Sequence, residues 1–249
     1  MRYSTKDLKA MARAQLAGKY GIFIGAYLLY NMITFVISLI TSFTGQSSSA
    51  IASIAQGNFY GSYTGIIIDF VIQFIIGLIL SILALGFNKM FLDGSRGYTV
   101  KFEDIFYGFR HHPDRIILMQ LILSLISVAC LLPGYIFLFL ALRSDENIAL
   151  LILCVAFLII GCILFVYFTI VYSQSMFLMA DYDDIGPVQS LKESKKLMHG
   201  NKGRYLYLSL SFIGFMFLGL LTCGIGLLWI TPYMNMTQTN FYRNITGEI

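Results

Sequence analysis

Charge is what this sequence has little of. Its 249 residues carry 17 Lys+Arg and 13 Asp+Glu, so only 12% are charged. A soluble domain carries about 25%, and a designed soluble surface about 25–35%. So little charge excludes a soluble enzyme, a disordered chain and a nucleic-acid binder, and leaves an integral membrane protein. Cysteine is scarce as well. Cys130, Cys154, Cys162 and Cys223 form no CxxC pair, which argues against a disulfide framework or zinc knuckle. They read as small apolar residues inside apolar runs. The three histidines, His111, His112 and His199, make no HExxH and join no spaced Cys/His set, so no metal site is expected. Walker A, GxGxxG and GxSxG are all missing, so no enzyme and no cofactor is expected. No cleavable leader is expected either, because a polar stretch of about 20 residues precedes the first apolar run.

What the chain does have is apolar length: 57% of it is hydrophobic. Six runs stand out, at 20–43, 64–87, 116–141, 147–173, 205–222 and 225–241. A helix needs about 20 such residues to cross hydrocarbon, and continuous runs containing Gly, Ser and Thr satisfy their own backbone as helices. The fold expected is all-α: a polytopic membrane protein with six transmembrane helices in three hairpins. Pro133 and Pro232 predict kinks in the third and sixth. Thr222-Cys223-Gly224-Ile225-Gly226 predicts a tight turn between the last two.

The charges are placed unevenly. Arg2, Lys6, Lys9, Arg13 and Lys19 precede the first run. Lys89, Arg96, Lys101, Arg110 and Arg115 follow the second, Lys192, Lys195, Lys196, Lys202 and Arg204 follow the fourth, and Arg243 follows the sixth. Only Arg143 falls on the other side. This bias predicts that both termini face the cytoplasm. The uncharged stretch 44–62 is then the main external loop. The chain reads as one transmembrane domain, 1–249, with architectural repeat units of about 1–97, 98–186 and 187–249.

Each unit opens with a stretch expected to form a cytoplasmic amphipathic helix. In 4–18, Ser4 or Thr5 is placed to cap, Leu8, Met11, Ala12 and Leu16 share a face, and Lys6, Lys9 and Arg13 gather on another. In 99–110, Phe102, Ile105, Phe106 and Phe109 follow i, i+3, i+4, i+7, with Thr99 as cap. In 186–199, Pro187 suits a first helical position, and Val188, Leu191 and Met198 lie on one side. Such helices lie in the headgroup plane, or simply cover the ends of the bundle.

Asp69 is the one acid inside an apolar run, and an ionisable residue at membrane depth marks a candidate site. Gln73, Gly77 and Ser81 follow it at i+4 steps, with Asn88 further on. Asn31, Thr34, Ser38 and Thr41 form a matching stripe in the first run. Facing each other, these stripes line a polar path; equally, they are interhelical hydrogen bonds. Candidate interfacial binding residues are Phe102, Phe106 and Phe109, together with Gln174 and Asn235. The last two belong to aromatic-polar clusters, Tyr172-Ser173-Gln174 and Tyr233-Met234-Asn235, which with Phe87-Asn88-Lys89 would converge if the units surround one axis. Asp181-Tyr182-Asp183-Asp184 lacks calcium-loop spacing and reads as a helix-capping turn.

Ala180-Asp181, SLKESKKLMHG at 190–200, the run from Ser211 through GIGLLW and Pro232-Tyr233 to Phe241-Tyr242, and FLDGSRGYTVKFEDIFYGF at 91–109 resemble a bacterial, Firmicutes-type integral-membrane family catalogued as domain of unknown function 975. Arg96, Asp104, Phe106, Phe109, Gly200, Gly224, Gly226, Pro232, Tyr233 and Tyr242 fall on its pattern. Phe215 stands where that pattern often has Trp. The resemblance covers most of the chain and implies a bacterial cytoplasmic-membrane location, with no activity attached. Two functional readings follow. One is a non-enzymatic module that binds membrane lipids, a peptide or a partner protein. The other is a small-solute or ion permease built around Asp69. Oligomeric state is not legible in the residues.

Overall fold

A computed structural model describes residues 3–43, 59–143 and 148–249, apart from the side chains of 40–43, 59–67, Asp69, 142 and 143. Among the described residues every regular element is helical and there is no strand. The helices are α1 (Thr5–Leu16), α2 (Tyr20–Phe43), α3 (Phe59–Ser95), a 3-10 turn (Phe102–Phe106), α4 (Tyr107–Arg110), α5 (Pro113–Arg143), α6 (Ile148–Val171), α7 (Ser175–Asp181), α8 (Pro187–Leu197), α9 (Lys202–Leu210), α10 (Ile213–Leu221) and α11 (Leu227–Thr246).

Among the described residues, five stretches are long and apolar enough to cross a membrane: Tyr20–Leu39, Phe70–Ser95, Pro113–Ala141, Ile148–Asp181 and Lys202–Leu221. The sixth apolar run becomes α11, whose second half is polar and buried at Thr237, Thr239, Asn240 and Asn244. Pro133 and Pro232 each lie inside a helix that runs on past them.

Local chemistry explains where the short helices start. The Ser4 hydroxyl accepts the Asp7 N–H at 3.3 Å, and the Asp7 carboxylate accepts the Ser4 N–H at 3.0 Å. This reciprocal box starts α1. Pro187 occupies the first turn of α8, where its missing N–H costs nothing. Thr99 does not cap the second short segment, at 99–110. The Asp104 carboxylate accepts the Lys101 N–H at 2.7 Å instead, and the segment begins as a 3-10 turn.

The core sits at one end of the bundle, where the basic residues gather. One cluster joins Ile82, Leu85 and Leu92 of α3 to Ile116, Phe177 and Leu191. A second joins Ala12 and Leu16 of α1 to Phe23, Phe91, Ile105 and Met236. A third joins Leu8, Met198, Leu208, Phe212 and Phe241. Segment 102–110 reaches this core by crossing α3 at Gly86, where an added Cβ would lie 1.9 Å from the Ile105 carbonyl oxygen. Away from this end the helices expose long apolar faces, such as Met32, Phe35, Ile75, Ile152 and Ile163. That is the surface distribution expected when lipid, rather than protein, covers the spans.

Candidate functional site

The basic end is held by a partly buried polar lock. Arg96, just beyond α3, donates to Asp181 at the end of α7 through both terminal nitrogens, at 2.6 and 3.1 Å. It also donates to Glu248 at 3.0 and 2.7 Å. Arg243 of α11 donates to Glu248 at 2.8 Å and to the Ser95 carbonyl at 2.7 Å. The Tyr242 hydroxyl donates to Asp181 at 2.9 Å. Gln15 of α1 donates to the same Ser95 carbonyl, and Asn240 donates to Gln15. Two-pronged guanidinium–carboxylate pairing is among the stronger polar contacts. Here it ties the ends of α1, α3, α7 and α11 together.

The electrostatics follow from these contacts. The hydrogen bonds that Arg96 donates to Glu248 and then to Asp181 hold its guanidinium above its ordinary value. Arg96 holds the Glu248 carboxyl below its ordinary value, against the opposing effect of burial. Burial, reinforced by the Asp181 charge, pushes the Tyr242 phenol up. Tyr107, also raised mainly by burial, donates to Asp183. Every charge in the lock is answered, so its chemistry is that of a clamp.

Two of the apolar stretches are interrupted, and each interruption is capped by a side chain from a short helix. The helix from Ile148 breaks between α6 and α7. The Ser194 hydroxyl of α8, fully buried, donates to the Val171 carbonyl at 2.9 Å and accepts the Gln174 N–H at 3.2 Å. The helix from Lys202 breaks between α9 and α10. There the Lys9 ammonium of α1 donates to the Ser211 carbonyl at 3.2 Å and lies 4.1 Å from the Phe212 ring centre. Each cap satisfies backbone groups that a continuous helix would satisfy itself.

A strip of aromatic surface faces outward beside the lock. Phe102, Phe106 and Phe109 are 49, 41 and 45% exposed, while Ile105 between them is fully buried. Lys101 and Arg110 at the ends of the strip are exposed as well. The four apolar residues therefore do not share one face: Ile105 pins the segment to the core, the half-exposed Phe102 ring lies against Gly25 of α2, and Phe106 and Phe109 face outward. In α8, likewise, Leu191 and Met198 are buried while Val188 is exposed.

The structure brings few of the other sequence candidates together. Asn31, Ser38 and Gln73 are exposed on the outer faces of α2 and α3. The side chain of Asp69 lies outside the described residues. The Asn31 amide donates to the Tyr27 carbonyl at 2.7 Å, and the Asn88 amide to the Ala84 carbonyl at 2.8 Å, each within its own helix. Gln174 is buried at the α6–α7 break, where its Oε1 has no hydrogen-bond partner. Asn235 is half-buried in α11. Phe87 and Tyr233 pack on one core cluster and Tyr172 on another. His111 stacks on Tyr107 at 4.0 Å, and no group of three metal-binding side chains occurs among the described residues.

Glu248 and Lys9 had no motif to announce them, and Asp181 and Ser194, although inside stretches that carry the family resemblance, were not singled out as contacts. Asp181 is a ligand of the lock rather than a cap, which the periodicity of its neighbours cannot reveal. Arg96 and Tyr242, by contrast, fall on the family pattern. The sequence profile of a family described as a protein of unknown function (DUF975) matches residues 1–248. The chain belongs to this family. No curated protein and no solved structure matches it. In this DUF975 chain two pattern residues distant in sequence, Arg96 and Tyr242, meet on one carboxylate, that of Asp181. Others, Gly224 and Gly226, form the turn between α10 and α11.

Proposed function

We propose that this DUF975 chain is a multi-pass protein of the bacterial cytoplasmic membrane that works by binding rather than catalysis. Its basic end faces the cytoplasm and engages lipid headgroups of the inner leaflet. The observation that carries this reading is the strip of Phe102, Phe106 and Phe109, half-exposed between Lys101 and Arg110 on a segment pinned by Ile105. Exposed rings beside cationic side chains suit the boundary between hydrocarbon and headgroup. Each nearby Lys or Arg adds about 1 kcal/mol of attraction to an anionic surface. The polar lock supplies the rigidity that keeps the strip in place.

The test uses the full chain in nanodiscs. The single tryptophan, Trp229, is replaced by Phe, and Phe106→Trp supplies a reporter. Lipids brominated near the headgroup should quench it strongly. Lys101→Gln with Arg110→Gln should reduce the quenching in anionic nanodiscs more than in zwitterionic ones. A reporter quenched by aqueous iodide and untouched by brominated lipid overturns the proposal.

A further inference from the structure

The third hairpin differs from the others in depth. We infer that it does not cross the bilayer: α10 and the first turns of α11 enter from the basic side, turn within the hydrocarbon and return, forming an apolar wedge for the acyl chains of that one leaflet. This goes beyond headgroup contact at the aromatic strip and rests on different residues.

The entry level is fixed by α1, a helix carrying Lys6, Asp7, Lys9 and Arg13. Lys9 caps the Ser211 carbonyl and lies 4.1 Å from the Phe212 ring centre and 5.4 Å from that of Phe215. Those rings meet Tyr233 of α11 at 5.4 and 6.2 Å. A charged helix, residues 211–215 and Tyr233 thus lie at one height. Beyond it, α10 has nine residues, about 14 Å at 1.5 Å each. The return from Gly226 to Tyr233 is about 10 Å by the same rise. The hydrocarbon is about 30 Å thick, so the hairpin reaches roughly its middle. By contrast, α2 has 24 residues, about 36 Å.

The N–H groups of the turn are satisfied within it. In hydrocarbon an unsatisfied backbone group costs several kcal/mol, so a turn there must bond to itself. The N–H groups of Thr222, Cys223, Gly224 and Ile225 donate to the carbonyls of Leu218, Leu220, Gly219 and Thr222. Those of Leu227, Leu228 and Trp229 donate to Gly224, Ile225 and Gly226. The remaining N–H, that of Gly226, is taken at 2.8 Å by the Thr222 hydroxyl, which itself donates to the Gly219 carbonyl. Left-handed backbone at Cys223 and Gly224, φ 51° and 87°, makes this closure. No charged residue occurs between Arg204 and Arg243. The side chains around the turn are bare and apolar, with Leu221 80%, Leu220 66% and Ile225 62% exposed.

Cys223 at the tip is a native reporter. Full-length protein in sealed vesicles of each orientation is treated with a membrane-impermeant maleimide, and labelled peptides are identified by mass spectrometry. A thiol in hydrocarbon cannot ionise to the reactive thiolate. Cys223 should therefore stay unlabelled from both sides and label only after unfolding in SDS. Labelling from the face opposite Lys9 means the hairpin spans, and labelling from the Lys9 face means the tip is in water; either overturns the inference. In a second measurement, Ile225→Trp in the Trp229→Phe background should be quenched most by lipids brominated at the chain ends. Strongest quenching by bromine near the headgroups overturns it independently of Cys223 chemistry.

Discussion

The α5–α6 and α10–α11 hairpins are both apolar, and both include a broken helix, yet they are held in different ways. In α5–α6 the two helices touch closely at several points along their length, backbone to backbone and ring to ring. An added Cβ at Gly161 would lie 2.4 Å from the Cys130 carbonyl oxygen, and Phe137 stacks on Phe157 at 4.8 Å. In α10–α11 the contact is short, centred on Gly219 against Leu227. What secures that hairpin lies below it: Lys9 at one arm, and the Arg96–Asp181–Glu248–Arg243 lock at the end of the other. A long hairpin stabilises itself by packing, whereas a short one depends on polar anchorage at its base.

Glycine substitution should break this comparison most strongly. Gly161→Ala forces α5 and α6 apart and should cost about 3 kcal/mol, the upper part of the overpacking range. Gly214→Ala in α10, where nothing lies within 4 Å, should be neutral or stabilising by up to about 1 kcal/mol from helix propensity. Reversible SDS unfolding of both variants checks the contrast.

The caps should separate next. Ser194→Ala leaves the Val171 carbonyl and Gln174 N–H buried without this partner, and should cost about 2 kcal/mol. Lys9→Met should cost less, about 1 kcal/mol, because its site is only partly buried. Equal losses would mean that the two breaks are equally sealed. The same SDS titration measures both.

The smallest effect expected is a pH dependence confined to the short hairpin's anchor. Glu248 is depressed in the folded chain from an ordinary value of 4.5, first by Arg96. Its stabilising contribution is therefore complete above 4.5, shrinks below that, and is gone once the pH has fallen past the lowered folded value. Unfolding between pH 6 and 3 should show this loss, and Glu248→Gln should abolish it. Among the described residues the α5–α6 contacts carry no such group, so proteolysis should release residues 240–249 in acid before it touches that hairpin.

Much of this was legible in the sequence, and the exceptions have physical causes. The run 20–43 is α2 to the residue, because apolar length alone sets a helix in lipid. The run 64–87 stops short of Ser95, since Asn88, Lys89 and Asp93 look like a loop until a folded partner covers them. The polar stripes suggested a path, but Asn31, Thr34, Ser81 and Asn88 all bond to carbonyls of their own helices. Local satisfaction of this kind leaves no trace in spacing. The aromatic strip was visible as residues, although helical periodicity put Ile105 on the same face as the three rings. Its burial depends on the close crossing at Gly86.

The sequence by itself determined that this is an all-helical protein with membrane-length apolar stretches and all its basic residues but Arg143 in the segments of one side. Both follow from transfer free energy, which depends on composition and run length alone. Only the tertiary structure decided that Arg96, Asp181, Tyr242 and Glu248 form one lock, that Ser194 and Lys9 seal two broken helices, and how far the third hairpin reaches from its anchor. Those outcomes depend on which polar groups find each other across separations of 20 to 202 residues, and hydrogen bonds are directional where hydrophobic burial is not.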